Sequence, residues 1–214
     1  MHIAIIGTAG RGEDKERLTK DIYTKAISLV RQAVSDLSKS YFLHALTLPR
    51  VHLHSGGAAW MDHIAVKLYL EETVSGLSIW GPCSFDISKH KFVEQPIGPN
   101  SRFDPGRISN WYHVAFSTVV HDGDPTVSRK EITHAIAQGA HFIEGNGFHR
   151  RNSDVAEQQG LIALTYGDGP RVKDGGTADT VKKYLKYCKK MGQPVNAIHF
   201  DLHDMSRHDT IEVS

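Results

Sequence analysis

The chain has 214 residues, 40% of them hydrophobic and 23% charged, and its 25 basic and 24 acidic side chains leave a formal net charge of +1. That balance excludes a mostly disordered chain, a collagen-like or low-complexity fibre, and the bulk positive charge of a nucleic-acid-binding domain. No apolar run approaches the roughly 18 residues a membrane-spanning helix needs, and two distant cysteines, Cys83 and Cys188, make neither a disulfide framework nor a cysteine-built zinc site.

The length predicts one domain, 1–214, and the start Met1-His2-Ile3-Ala4, without a basic leader, predicts a cytoplasmic protein. Residues 2–6 are apolar and run into Gly7-Thr8-Ala9-Gly10-Arg11-Gly12, which predicts a buried strand followed by a glycine-rich turn. Asp14 is a candidate cap for the next segment. From Lys15 to about Ser38 apolar residues such as Leu18, Ile22, Ala26, Val30 and Leu37 recur at three- and four-residue spacing, predicting one long amphipathic helix. A short strand over Val51–His54 meets Ser55-Gly56-Gly57-Ala58, then a helix from about Ala59 to Glu72, then a strand at Leu77–Trp80 that ends in Gly81-Pro82. Strand, glycine turn and helix in succession predict a parallel α/β sheet, because parallel neighbours need crossover connections.

Residues 84–112, with Pro96, Gly98, Pro99, Asn100, Pro105 and Gly106, read as a long loop. The apolar stretch 111–120 fits either strand or helix. Ser128–Gln138 predicts a helix whose Ser128 and Glu131 form a capping box, and Gly145-Asn146-Gly147 breaks the chain again. The last third predicts a helix over Phe148–Gln159, a buried strand over Leu161–Tyr166, a glycine-rich loop at 167–176 and a helix over Thr177–Met191 stopped by Gly192. A final strand over Val195–Phe200 precedes a polar, frayed tail from Asp201.

In an open parallel sheet, ligands bind beyond the carboxyl ends of the strands. The turns there hold Gly7, Thr8 and Ala9, then Ser55, Gly56, Gly57 and Ala58, and finally Asp174, Gly175, Gly176 and Thr177. Glycine admits a ligand close to the backbone, and a helix beginning there turns free N–H groups toward it, so these turns predict an anion site. It is not a P-loop, since no turn ends in Gly-Lys-Ser/Thr, and the spacing of Gly7, Gly10 and Gly12 is not the dinucleotide fingerprint. Arg11, Arg150, Arg151 and Asn152 are candidate phosphate contacts, Asp62 a candidate ribose contact, and Trp80, Trp111 and Tyr166 candidate stacking partners for a base. His199, His203 and His208 lack accompanying cysteines, and no metal is predicted there.

The segment His54-Ser55-Gly56-Gly57-Ala58-Ala59-Trp60-Met61-Asp62-His63-Ile64-Ala65 resembles the glycine-pair segment of YspA-type SLOG domains. Ile5-Ile6-Gly7-Thr8, Arg151-Asn152 and Asp174-Gly175-Gly176-Thr177 resemble other parts of the same superfamily, so the likeness covers roughly 1–82 and 148–200. The resemblance implies an α/β, Rossmann-like doubly wound, mostly parallel sheet with helices on both faces and a central insertion at about 84–147. It also implies a nucleotide or nucleotide-derived ligand with no separate cofactor; a homo-oligomer without a membrane partner is expected, and the near-neutral charge counts against a nucleic-acid partner. The superfamily includes Lonely Guy phosphoribohydrolases, which cleave the N-glycosidic bond of nucleoside 5′-monophosphates. Arg151 occupies the place of their arginine, while the place of their glutamate falls on Thr180, beside Asp179. Arg151, Asp62 and Asp179 are the catalytic candidates this implies, with Asp154 and Glu144 as further carboxylates. Three function classes stay open: a glycosidic hydrolase, a non-catalytic nucleotide binder or sequestering protein, and single-stranded DNA binding of the DprA kind.

Overall fold

The computed structural model describes residues 1–41, 50–95, 103–145, 147–173 and 175–213. Asn146, Asp174 and the Pro96, Gly98, Pro99 and Asn100 positions of the anticipated loop lie outside the described residues. At the centre is β1 (His2–Gly7), in which Ile3, Ala4, Ile5 and Ile6 are all buried, as a strand covered on both faces must be. Its parallel neighbours are β2 (His52–Ser55) and β7 (Gly160–Thr165). Beyond β2 lie β3 (Gly76–Gly81) and β6 (His141–Glu144), and beyond β7 lie β8 (Ala197–Asp201) and β9 (Ser206–His208). The order is β6-β3-β2-β1-β7-β8-β9, parallel throughout except for the β8–β9 pair.

Helices cover both faces, and strand alternation assigns each its side. Ile3, Ile5, Leu53, Leu77, Ile79 and Leu164 pack with Val30 of α2 (Lys20–Tyr41), Leu68 of α3 (Ile64–Leu70), Phe116 of α4 (Pro105–Val120) and Ile132 of α5 (Val127–Ala137). Ala4, Ile6, Leu161 and Ala163 face the other way, onto Val155 of α6 (Phe148–Ala156) and Val181 and Tyr184 of α7 (Gly176–Met191). Right-handed crossovers explain the division. The steps β1 to β2 to β3 to β6 move in one direction and leave their helices on one face, and β6 to β7 to β8 reverses and leaves α6 and α7 on the other. The fold is therefore a Rossmann-like, doubly wound α/β sheet.

Several elements depart from the sequence reading. The long first helix is broken: α1 (Asp14–Arg17) ends at Leu18, whose ψ of 120° turns the chain before α2 begins. Within the stretch anticipated as an insertion, β6 is a regular parallel strand of the main sheet and α5 packs on α3. What is added there is a small hairpin, β4 (Phe85–Asp86) with β5 (Lys91–Phe92), and α4, whose Pro105 stands in the first turn behind the N-cap Asp104. The capping box at Ser128 does not form. Thr126 is the N-cap of α5, because the Ser128 hydroxyl is buried against His113 and Ser117 of α4 and Glu131 reaches across to His63. The tail is also ordered further than anticipated, as β9 pairs antiparallel with β8. Among the described residues no helix is long and apolar enough to cross a membrane.

Candidate functional site

Chain connections leave β1 in one direction and approach β7 from the other, so a crevice opens above the carboxyl ends of these two strands. It holds a cavity of ≈ 170 Å³ lined by the ends of β1 and β7, the turn after β2, and the first turns of α1, α6 and α7. Gly7, Thr8, Ala9, Arg11, Gly56, Ala58, Asp62, Arg151, Asn152, Gly175, Gly176 and Thr177 all contribute, as their places at strand ends predict.

The anion site is nevertheless not built as the glycine turns suggest. Asp62 sits in a short 3-10 turn, Trp60–His63, entered through Trp60 at φ 62°, a left-handed conformation that costs a bulky residue about 1–2 kcal/mol. The indole packs against Tyr23 and Phe116 and holds that turn in place. The Asp62 carboxylate then accepts the Gly7 N–H at 2.9 Å and bonds the backbone N–H groups of Gly56 and Ala58. Burial raises the Asp62 carboxyl above its ordinary value, while Arg151 and these three donors pull it back down. Two of the three turns anticipated as an anion site thus direct backbone N–H groups at the protein's own carboxylate. Ser55 and Gly57 turn inward as well: the Ser55 hydroxyl donates to the Asp62 carbonyl and accepts from the Gly57 N–H.

What stays directed at the cavity is the start of α7 and two guanidinium groups. Among the described residues no side chain caps α7; Gly175 precedes it at φ 124°, and Thr177 donates its hydroxyl to the Gly7 carbonyl, which ties the helix start to the end of β1. Arg151 donates through Nη1 to the Gly56 carbonyl at 2.6 Å, while its buried Nε has no partner among the described residues. Burial lowers the affinity of this guanidinium for its proton, nearby Asp62 raises it, and Arg11 lowers it again. Arg11 has no carboxylate partner among the described residues, and lies 5.6 Å from the ring centres of both Tyr112 and Phe148. These two rings lead outward into a wider hollow of ≈ 650 Å³, lined also by Phe103, Arg107, Ile108 and Trp111.

The cavity also contains a group that sequence reading assigned only to capping. Asp14 of α1 is buried; it accepts from the Thr8 hydroxyl at 2.5 Å and from the Lys173 ammonium at 2.6 Å. Asp14, Thr8, Lys173 and Thr165 share one wall. Lys173 is placed by its own N–H, which donates to the Thr165 hydroxyl at the end of β7.

Other anticipated residues lie elsewhere. Trp80 donates to His54 Nδ1 at 3.2 Å and packs with the α6–α7 core, away from the cavity lining. Arg150 is exposed, and Asp179 is engaged by Asn152 and Lys183 outside the lining. Tyr166 is buried beneath Arg17 and against His203. Thr180 does line the cavity, its hydroxyl donated to the Gly176 carbonyl. His199 is buried and bonds Thr165 and the Gly169 carbonyl, so it supports the end of β7. Tyr112, Phe148, Lys173 and Asp14 were missed; only Lys173, in a glycine-rich loop after a strand, carried a positional signal.

Over 194 residues the chain is 31% identical to the uncharacterized protein R261 of Acanthamoeba polyphaga mimivirus, a match spanning 89% of this chain and 94% of the viral protein. No protein-family model matches the chain, and no solved structure matches it.

Proposed function

We propose a nucleotide-binding function for this chain, which belongs to the same family as the mimivirus protein R261. One observation carries the proposal: a cavity with a helix start uncapped by any described side chain and a partly unpartnered guanidinium opens, past Arg11, onto an aromatic hollow. An anion at the start of α7 gains helix-dipole and backbone N–H stabilisation and relieves the mutual repulsion of Arg11 and Arg151. A flat ring lies against Tyr112, Trp111 or Phe148. A phosphate joined to a planar base through a sugar combines both ends, which makes a nucleoside phosphate the ligand class and SLOG-type domains the resembling superfamily. N-glycosidic hydrolysis is the reaction this reading carries. A non-catalytic binder is the second reading, favoured by Thr180, which brings a hydroxyl to the wall of the cavity where the hydrolases of that superfamily have a carboxylate.

Titration calorimetry with the common nucleoside 5′-monophosphates tests binding. The expected result is saturable binding that is lost with the free nucleosides; equal affinity for nucleoside and nucleotide, or no binding of either, overturns the proposal.

A further inference from the structure

Two carboxylates line the inner cavity, and their partners differ. Asp62 is engaged by three backbone N–H groups, with the charge of Arg151 nearby. Asp14 has no backbone donor among its described partners; it holds a hydroxyl and an ammonium, and both of those groups also face the cavity. Burying a carboxylate is costly, and the chain goes out of its way to do so here. The first helix breaks at Leu18, and the resulting four-residue α1 buries no residue other than Asp14. The Leu18 N–H closes that turn on the Asp14 carbonyl, which holds the side chain over the ends of β1 and β7. An amphipathic pattern that continues unbroken through these residues does not require such a break. A carboxylate held 2.6 Å from an ammonium in a ligand cavity is an acid–base pair.

Building on the nucleotide reading, we propose that Asp14 and Lys173 are the catalytic residues of N-glycosidic hydrolysis, with Thr8 as the positioning residue. With phosphate at the start of α7 and the base in the aromatic hollow, the sugar lies between them, beside the Asp14 wall. Water attacks the anomeric carbon and gives one proton to the Asp14 carboxylate. The bond from that carbon to the base nitrogen breaks, its electron pair goes to the nitrogen, and the Lys173 ammonium supplies the proton. The new Asp14 carboxyl then returns a proton to the Lys173 amine across their contact. The net change is one water consumed, with free base and ribose 5-phosphate released.

The experiment takes the full chain, first measures binding of the four common nucleoside 5′-monophosphates, then follows base release by chromatography. Wild type is expected to release base from at least one nucleotide that it binds. Asp14→Asn is expected to keep affinity within a few-fold and lose at least about 100-fold in turnover, the lower end of general acid–base effects, with Lys173→Gln losing about 10-fold or more. Wild type that binds nucleotide without releasing base overturns this assignment and leaves the binding proposal standing; wild type that binds no nucleotide overturns both. Turnover of Asp14→Asn near the wild-type rate overturns the assignment as well. Because Asp14 is buried, thermal unfolding checks each variant. If Asp14→Asn does not fold, a structure of wild type with a carbocyclic, uncleavable monophosphate decides: a carboxylate about 3–3.5 Å from the anomeric position is expected, and one beyond about 6 Å overturns the proposal.

Discussion

The Asp62 carboxylate accepts the backbone N–H of Gly7 at 2.9 Å across 55 residues of chain, and so pins the end of β1 to the turn that follows β2. Sequence patterning reads both turns as open to a ligand anion, whereas the fold supplies the anion itself. This moves the expected ligand contacts to the remaining helix start, at α7, and to Arg11.

Asp62→Ala therefore acts on folding before it acts on binding. It removes the acceptor of the Gly7, Gly56 and Ala58 N–H groups and takes a negative charge from the neighbourhood of Arg151. Leaving backbone donors without their acceptor costs about 1–3 kcal/mol, and denaturant unfolding is expected to show a loss of that order. A loss under about 1 kcal/mol would mean that the site is not held together by this carboxylate.

Strands β1, β2, β3 and β7 were legible because each is a short apolar or alternating run that stops at glycine, and the sheet direction followed from the helices between them. The broken first helix was not, because Leu18 and Ile22 keep helical spacing across the break and only tertiary contact at Asp14 rewards it. β6 (His141–Glu144) is four residues with exposed ends, too short for a periodic signal, and its place at the sheet edge depends on pairing with β3. At the site, strand-end glycines located the cavity. Which of their N–H groups remain available depends on Asp62 in the folded chain, a contact no local pattern encodes.

The aromatic hollow makes a separable prediction. Trp111→Ala and Tyr112→Ala are expected to weaken nucleotide binding by about 1–3 kcal/mol each, the range for loss of a base-stacking partner, with little change in salt dependence. Arg11→Gln is expected to weaken binding while flattening its dependence on salt, since it removes a charge and leaves the rings. Calorimetry at two ionic strengths distinguishes them; an identical salt response in all three variants would contradict the division into an anionic and an aromatic end.

Acid stability follows from the histidines. His2, His52 and His54 crowd together on adjacent strands β1 and β2, with ring centres 4.9–5.1 Å apart. Burial and then the neighbouring rings hold His54 down to about 3, and burial with His63 does the same to His113. In the unfolded chain both take a proton near pH 6.5. Between that pH and about 3 the unfolded state binds more protons, so the contribution is present above pH 6.5 and is lost as pH falls, at up to about 1.4 kcal/mol per pH unit for each group. Denaturant midpoints from pH 7 to pH 5 are expected to fall steadily, and His54→Gln to reduce the slope. A midpoint independent of pH across that range would show that these rings are not held neutral by the fold.

Glycine substitutions separate close approach from backbone conformation. At Gly7 an added Cβ lies 2.5 Å from both the Leu164 carbonyl oxygen and the Met61 Cβ, so β7 or the 3-10 turn must move. At Gly12 an added Cβ meets nothing, and the cost comes from φ of 56° alone. Gly12→Ala is expected to cost about 1 kcal/mol, whereas Gly7→Ala is expected to cost upwards of about 3 kcal/mol, because one obstructing atom is backbone of β7, the other is fixed to the 3-10 turn, and the Gly7 N–H must keep its bond to Asp62. Unfolding measurements on the two variants give the comparison. Equal losses would mean that β1 and β7 can separate without cost, and then the cavity between their ends would not be rigid enough to orient a ligand.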